Sequence, residues 1–416
     1  MHIYQEGRIV TMGSKQILNN RRMSLSQKIV FKLLSQIQYG QITLHDGKTC
    51  VIFSGKEAIE SHAVTIHIKH ACAYKTFLFE GTVGAGKSYI KGDWDTDNLS
   101  KLFEIFIKNT HLFDRMESPS AKILIFLRHL ANKLRPNNIR RAKQNILNHY
   151  DLGNQFFQLI LDPTMMYSCA LYESENTTQE QASKKKLMTI CEHLQLQASD
   201  HILEIGTGWG GFAIFAAREF GCKVTTTTIS NKQYAYVKTE IERLGLQNQI
   251  ELLNIDYREL SGQYDKLVSI EMIEAVGYKY FDTFFHQCNK LIKSGGLFFL
   301  QAIVINDQKY KTAKKEIDFI KQYIFPGGCL PSIHSIFESI ATQTQMQLIH
   351  LHDIGKHYVK TLNDWHHKLM TNKEAIKQHN FNEKFIRMWQ FYFCYSAVGF
   401  KTCHISDVQV LWRKRI

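Results

Sequence analysis

The chain has 416 residues, 44% of them hydrophobic, which is enough for one large or two ordinary cores and excludes wholesale disorder. Its 51 Lys and Arg against 38 Asp and Glu give a formal charge of +13, which favours an anionic partner such as a phospholipid surface, a nucleic acid or a phosphorylated substrate without choosing among them. No run of about 18 apolar residues is present, the N-terminus lacks the apolar stretch of a secretory signal, and the nine cysteines form no CxxC pair, so the expectation is a cytoplasmic protein with peripheral membrane contact and no metal site.

The basic character is uneven: residues 1–145 hold 22 Lys and Arg against 11 Asp and Glu, so this third carries +11 of the +13. From Gln41 to Phe79, short apolar runs (QITLHDG, TCVIFSG, AVTIHIKH, YKTFLFEG) separated by turn residues predict a small antiparallel sheet. Gly81 to Ser88, GTVGAGKS, satisfies the GxxxxGK[ST] pattern of a phosphate-binding loop. Such a loop needs a helix starting at its lysine, and Gly92 with the following Asp-Trp-Asp cluster ends any helix soon after Lys87; a glycine-rich turn leading into a GDW loop is expected instead. Residues 98–113 read as a helix capped by Asn98 or Ser100. Between Ser118 and Tyr150, seven cations occur without one acidic residue, and Ile123, Phe126, Leu127, Leu130 and Leu134 recur at helical spacing among them. That pattern fits an amphipathic helix at a lipid interface or a basic-faced helix packed on its own domain. Pro136 and the polar residues after it mark a linker over 131–146, between a first domain at 1–130 and a second at 147–416.

In the second domain, HILEIGTGWGGFAIFAAREFG (201–221) runs from a short apolar strand into Gly206-x-Gly208-x-Gly210-Gly211 and then a helix, the unit that brings a ligand against bare backbone at a helix N-terminus. The glycine spacing and Glu204, two residues ahead of Gly206, resemble the nucleoside-binding loop of class I S-adenosylmethionine methyltransferases more than a dinucleotide fingerprint. A carboxylate sits awkwardly beside a pyrophosphate and suits a sulfonium amino acid. Downstream, strands at 223–229, 250–256, 265–273 and 295–305 alternate with helices at 231–244 and 280–293, which predicts a parallel α/β sheet. Asp256 closes the third strand, where such enzymes commonly bind an adenine amino group. The strand ending at Ile229 carries no acid for ribose hydroxyls, and Thr228, Ser230 and Gln233 are the local substitutes.

Seven words in order, HYDLGNQFFQLILDPTMMYSCALY (149–172), LEIGTGWGGFA (203–213), TISNKQ (228–233), DYREL (256–260), SIEMIEAVG (269–277), YIFPGGCLPS (323–332) and IGKHYVKTLNDW (354–365), resemble the cyclopropane-fatty-acyl-phospholipid synthase family, which includes the mycolic acid cyclopropane synthases. Residues 38–113 resemble, more weakly, the N-terminal lipid-binding domain of the bacterial phospholipid synthases. The resemblance implies a Rossmann-like class I S-adenosylmethionine methyltransferase domain with a smaller N-terminal α+β lipid-binding domain. It implies methylene transfer to a cis double bond of a phospholipid acyl chain: the alkene takes the methyl, a carbocation is left, a bound bicarbonate removes a proton and the ring closes. Cys169, Glu274 and Tyr358 fall at bicarbonate ligands, and Tyr150 and Tyr167 at aromatic positions of the site. Tyr167, Ser168, Gly206, Gly208, Trp209, Thr228, Ser230, Gln233, Asp256 and Tyr257 fall at cofactor contacts, beside Glu204. Gln301 stands where the bacterial synthases have His, although plant-type members of the family also carry Gln there; Gln hydrogen-bonds but does not titrate. Lys87 stands where relatives usually have an acid. The implied partners are unsaturated phospholipid acyl chains and an anionic membrane surface, with a homodimer left open. Nucleic acid is not expected, since SIEMIEAVG replaces the [DN]PP[YFW] motif of an exocyclic-amine methyltransferase. A C-methyltransferase acting on acyl chains to give methyl-branched or methylene products, and a small-molecule N-methyltransferase, are the alternatives.

Overall fold

The computed structural model describes residues 2–5, 8–11, 23–47, 49–57, 62–110 and 153–416; the basic segment at 118–150, the linker and Tyr150 lie outside them. The described residues divide into two units. The first takes residues up to 110 together with 317–322 and 380–398, and the second takes 153–316, 323–379 and 399–416.

In the first unit, β1 (His2–Gln5), β2 (Arg8–Thr11), β3 (Gln41–Asp46), β4 (Thr49–Ser54), β5 (Ala63–Ile68) and β6 (Trp94–Thr96) form one sheet in the order β2-β1-β4-β3-β5-β6. Alternation along the strands buries Ile42, Leu44, Val51, Phe53, Val64 and Ile66. The sheet is antiparallel except between β3 and β5, which run parallel, so it is mixed and not the antiparallel sheet expected. YKTFLFEG is not a strand, and GTVGAGKS is not a turn. Both lie in a helix over Cys72–Lys91, kinked at Gly81 and ended by Gly92 at φ 83°. A short apolar run does not by itself distinguish a strand from a buried helix. The helix places Phe77 edge-on to Trp94 and lets the Trp94 indole donate to the Ala85 carbonyl and the Ser88 hydroxyl. Lys87 lies far from the start of this helix and pairs with Glu80 at 3.2 Å. The next helix, Leu99–Lys108, is capped by Asn98, whose side chain accepts from Lys101 N.

The cut between domains also differs from the single boundary expected near residue 147, because late segments complete the first unit. Arg387 lies over the Tyr89 ring at 3.8 Å and donates to the Tyr89 and Trp94 carbonyls. Phe391 packs against Phe103 and Phe319, and Tyr89 donates to Gln390. Most of these contacts are separated by about 300 residues of sequence, and nothing local announces them.

The second unit is a seven-stranded α/β sheet. Its strands are β7 (His201–Ile205), β8 (Lys223–Thr227), β9 (Ile250–Leu253), β10 (Tyr264–Ile270), β11 (Ile292–Ile305), β12 (Met346–Asp353) and β13 (Ile405–Lys414), in the order β12-β13-β11-β10-β7-β8-β9. Five run parallel, and β12 and β13 add an antiparallel edge. Along β11, Leu297 and Phe299 pack on the side of Leu187, Phe212 and Ala216, while Phe298, Leu300 and Ala302 pack on the side of Phe284, Phe285 and Trp412. Strand order reverses between β7 and β10, the point at which doubly wound sheets open a crevice beyond their carboxyl ends. No described helix is long and apolar enough to cross a membrane.

Candidate active site

A pocket lies at that reversal, built from the ends of β7, β8 and β10 and the segment after β9. Gly206 and Gly208 turn the chain out of β7 at φ 100° and 53°, a region L side chains rarely adopt. A Cβ on Gly206 would stand 2.9 Å from Met272 Cγ, whereas one on Gly208 would meet nothing within 4 Å, leaving bare backbone against open space. The chain then enters the helix Gly211–Phe220. Glu204, buried behind this turn, accepts from the Thr226 hydroxyl at 2.5 Å, and burial pushes its carboxyl up to about 8.

Tyr167, Ser168, Trp209, Thr228, Gln233, Asp256 and Tyr257 also line the pocket. Trp209 donates to Asn154, and Tyr167 packs against Phe157 and Trp365. Asp256 clamps Arg258 through both carboxylate oxygens, at 2.8 and 2.7 Å. Tyr257 packs edge-on to Phe284, and its buried hydroxyl has no partner among the described residues. Ser230 stands apart from the lining: it caps the helix Asn231–Leu244 by accepting from Gln233 N, while Thr228 donates to the Gln233 side chain. The Ser230 N–H also donates to the Thr228 hydroxyl at 3.1 Å.

Beside the pocket, polar groups converge on Glu271. Its Oε1 accepts from Cys169 N at 2.7 Å and Gln301 Nε2 at 2.8 Å, and its Oε2 accepts from the Tyr358 hydroxyl at 2.6 Å. Gln301 is oriented by Gln409, which donates to its Oε1, and its Nε2 also reaches Asp407. The register of β11 on β13 makes this cluster, since Gln301 lies opposite Gln409, and Asp407 is two residues along on the same face. Burial and the neighbouring Glu271 raise the Asp407 carboxyl far above its usual range. Burial likewise raises the Cys169 thiol, whose Sγ faces the carbonyls of Ala170 and Ile354. Lys186, fully buried, donates to Ser168 at 2.5 Å; desolvation lowers its pKa. Glu274 takes a separate position: Oε1 accepts from Ile303 N at 2.6 Å, and the shielded Oε2 has no partner among the described residues. Burial, then the charge of Glu271, pushes the Glu274 carboxyl up to about 8.

Residues 137–410 match the family model described as mycolic acid cyclopropane synthetase. The protein belongs to the cyclopropane synthase family. It is 34% identical over 358 residues to the cyclopropane-fatty-acyl-phospholipid synthase of Escherichia coli, covering 84% of this chain and 88% of that protein. It is 32% identical to the tuberculostearic acid methyltransferase UfaA1 of Mycobacterium tuberculosis, over 79% of this chain and 78% of that one. The crystal structure of the mycolic acid cyclopropane synthase CmaA1, complexed with SAH and CTAB, superposes with a TM-score of 0.61 and 28% identity, covering 65% of this chain and 98% of that one.

A member of this family is an S-adenosylmethionine-dependent methyltransferase, and the pocket fits that cofactor. The open backbone at Gly208, the buried Glu204 carboxyl and the unpartnered Tyr257 hydroxyl are the features that would hold it. Bicarbonate does not fit the arrangement the resemblance implies. Cys169 N, Gln301 and Tyr358 already donate to Glu271, and Glu274 faces Ile303 instead of joining them. Sequence reading missed Glu271, Asp407, Gln409 and Lys186. Alternation in ISDVQVLW was the available signal for two of them, since Val408, Val410 and Trp412 take the core face and leave Asp407 and Gln409 together on the other.

Proposed function

We propose that this methyltransferase adds a methylene group to a cis double bond of an unsaturated phospholipid acyl chain, as a cyclopropane-fatty-acyl-phospholipid synthase. S-adenosylmethionine, when bound, supplies an electrophilic methyl carbon. What the protein must add is a dry site that tolerates a carbocation and a fixed group that removes a proton from carbon. The observation that carries the reading is Glu271, a carboxylate fixed by three donors at the wall of the cofactor pocket. N-methylation of an amine loses a proton from nitrogen, which exchanges readily with water, and requires no such device. Tyr167, packed between Phe157 and Trp365 at the pocket wall, offers aromatic faces to a developing cation. The excess of 11 positive charges in residues 1–145 supports docking on an anionic membrane surface.

A second reading is favoured by the similarity to UfaA1: transfer of the same methyl without ring closure, the cation losing a proton from the acyl chain to give a methyl-branched alkene or, after a hydride shift along the chain, from the methyl itself to give a methylene product. The test is analysis of total fatty acids from cells expressing the protein and fed methyl-labelled methionine. The proposal expects labelled products one CH2 heavier than the parent monounsaturated chains and resistant to hydrogenation. Labelled products that take up hydrogen establish the second reading, and unlabelled lipid overturns both.

A further inference from the structure

We propose that Glu271 is the proton acceptor of the carbon-deprotonation step, a resident base that makes bound bicarbonate unnecessary in this protein. The assignment rests on the acyl-chain reading above. Its first support is occupancy. The donors that the family resemblance would turn toward a small anion, Cys169 N, Gln301 Nε2 and the Tyr358 hydroxyl, all end on the two oxygens of Glu271. The side chain thus supplies, covalently attached, the anion such a cradle is built to hold.

The second support is backbone. Glu271 sits at φ 49°, in the left-handed region, at the end of β10 where its own N–H still donates to the Gln301 carbonyl at 2.8 Å. A non-glycine residue kept in that conformation at a pocket wall is the kind of local strain that surrounding structure retains for a function. The third is the fixing of Gln301. Gln409 donates to its Oε1, so the amide turns its Nε2 toward Glu271 and Asp407, and this glutamine orients the base without exchanging protons itself.

Glu274 is the competing acceptor and is poorly placed for it. It is not among the residues that line the pocket as Glu271 is, its Oε1 is taken by Ile303 N, its Oε2 is shielded, and burial with the charge of Glu271 holds its carboxyl up at about 8. On Glu271, Oε1 receives Cys169 N and Gln301 Nε2 and Oε2 receives the Tyr358 hydroxyl, with Asp407 hydrogen-bonded to the same carboxyl group. In the step, a C–H bond of the transferred methyl breaks and its electron pair closes the second C–C bond onto the cationic carbon of the acyl chain. The proton passes to Glu271, which becomes a neutral acid and returns it to water after product leaves.

The experiment uses the full-length protein, S-adenosylmethionine and vesicles of an unsaturated phospholipid, in carbon-dioxide-free buffer with and without added bicarbonate. The assignment expects the wild type to turn over at rates within about twofold of each other in the two buffers. Glu271→Gln should lose roughly 10²- to 10⁴-fold with or without bicarbonate, since it removes the base while leaving the space filled. Glu271→Gly suits the left-handed backbone and empties the cradle, so it should recover activity specifically with bicarbonate and broaden the carbon-13 resonance of labelled bicarbonate, which the wild type should not. Wild-type turnover that requires bicarbonate, or a Glu271→Gln variant at the wild-type rate, overturns the assignment alone. Absence of labelled lipid from the wild type in both buffers overturns the substrate reading and the assignment with it.

Discussion

Two glycine-rich segments in this protein look alike as text and end in opposite structures. GTVGAGKS (81–88) matches a nucleotide-binding pattern and forms helix, with Gly86 pressed so close to Phe319 that a Cβ would stand 2.2 Å from its ring. GTGWGG (206–211) follows a buried strand, turns through left-handed glycines and opens onto a pocket. In the first, Gly86 serves close packing and Gly81, at φ 54°, makes the helix kink; in the second, the glycines serve backbone conformation and access. The difference comes from what precedes the glycines, a helix in one case and a sheet strand ending at a strand-order reversal in the other.

Substitutions can break or sharpen that contrast. The largest effect belongs to Gly206→Ala. A side chain at φ 100° costs about 1–3 kcal/mol and meets Met272, so S-adenosylmethionine affinity measured by calorimetry should fall roughly 10- to 100-fold. Next comes the pH dependence of that affinity. Because the Glu204 carboxyl is raised to about 8, it is neutral below that value, and a cationic ligand must displace its proton to gain the carboxylate. Affinity should therefore decline as pH falls below about 8, approaching tenfold per unit, and Glu204→Gln should flatten the profile. Gly86→Ala should lower stability by about 1–3 kcal/mol in denaturant unfolding through overpacking against Phe319, with cofactor affinity unchanged. The smallest effect is expected of Lys87→Ala, which removes a partly exposed pair with Glu80 and should cost less than about 1 kcal/mol, with no nucleotide affinity to lose. Weakened ATP binding in that variant would reinstate the phosphate-loop reading.

The same contrast explains what was legible in the sequence. The cofactor loop was readable because strand, turn and helix are adjacent, and the Asn98 cap because its bond spans three residues. YKTFLFEG misled because a short apolar run fits a strand as well as one side of a helix; in the helix it forms, Phe77 packs edge-on to Trp94. Glu271 was invisible for a related reason. Its donors lie at 169, 301 and 358, so the cradle exists only after the sheet has assembled. Family resemblance directed attention to Glu274, three residues on, which the fold turns toward Ile303.

The most direct test of the account is mass spectrometry of fatty acids from cells expressing this protein and fed methionine carrying a fully deuterated methyl group, before and after catalytic hydrogenation. Ring closure by deprotonation of the transferred methyl predicts products that keep two of its three deuterium atoms and resist hydrogenation. Products that keep all three would show that the proton leaves from the acyl group instead, and would contradict both the ring-forming reaction and the role given to Glu271.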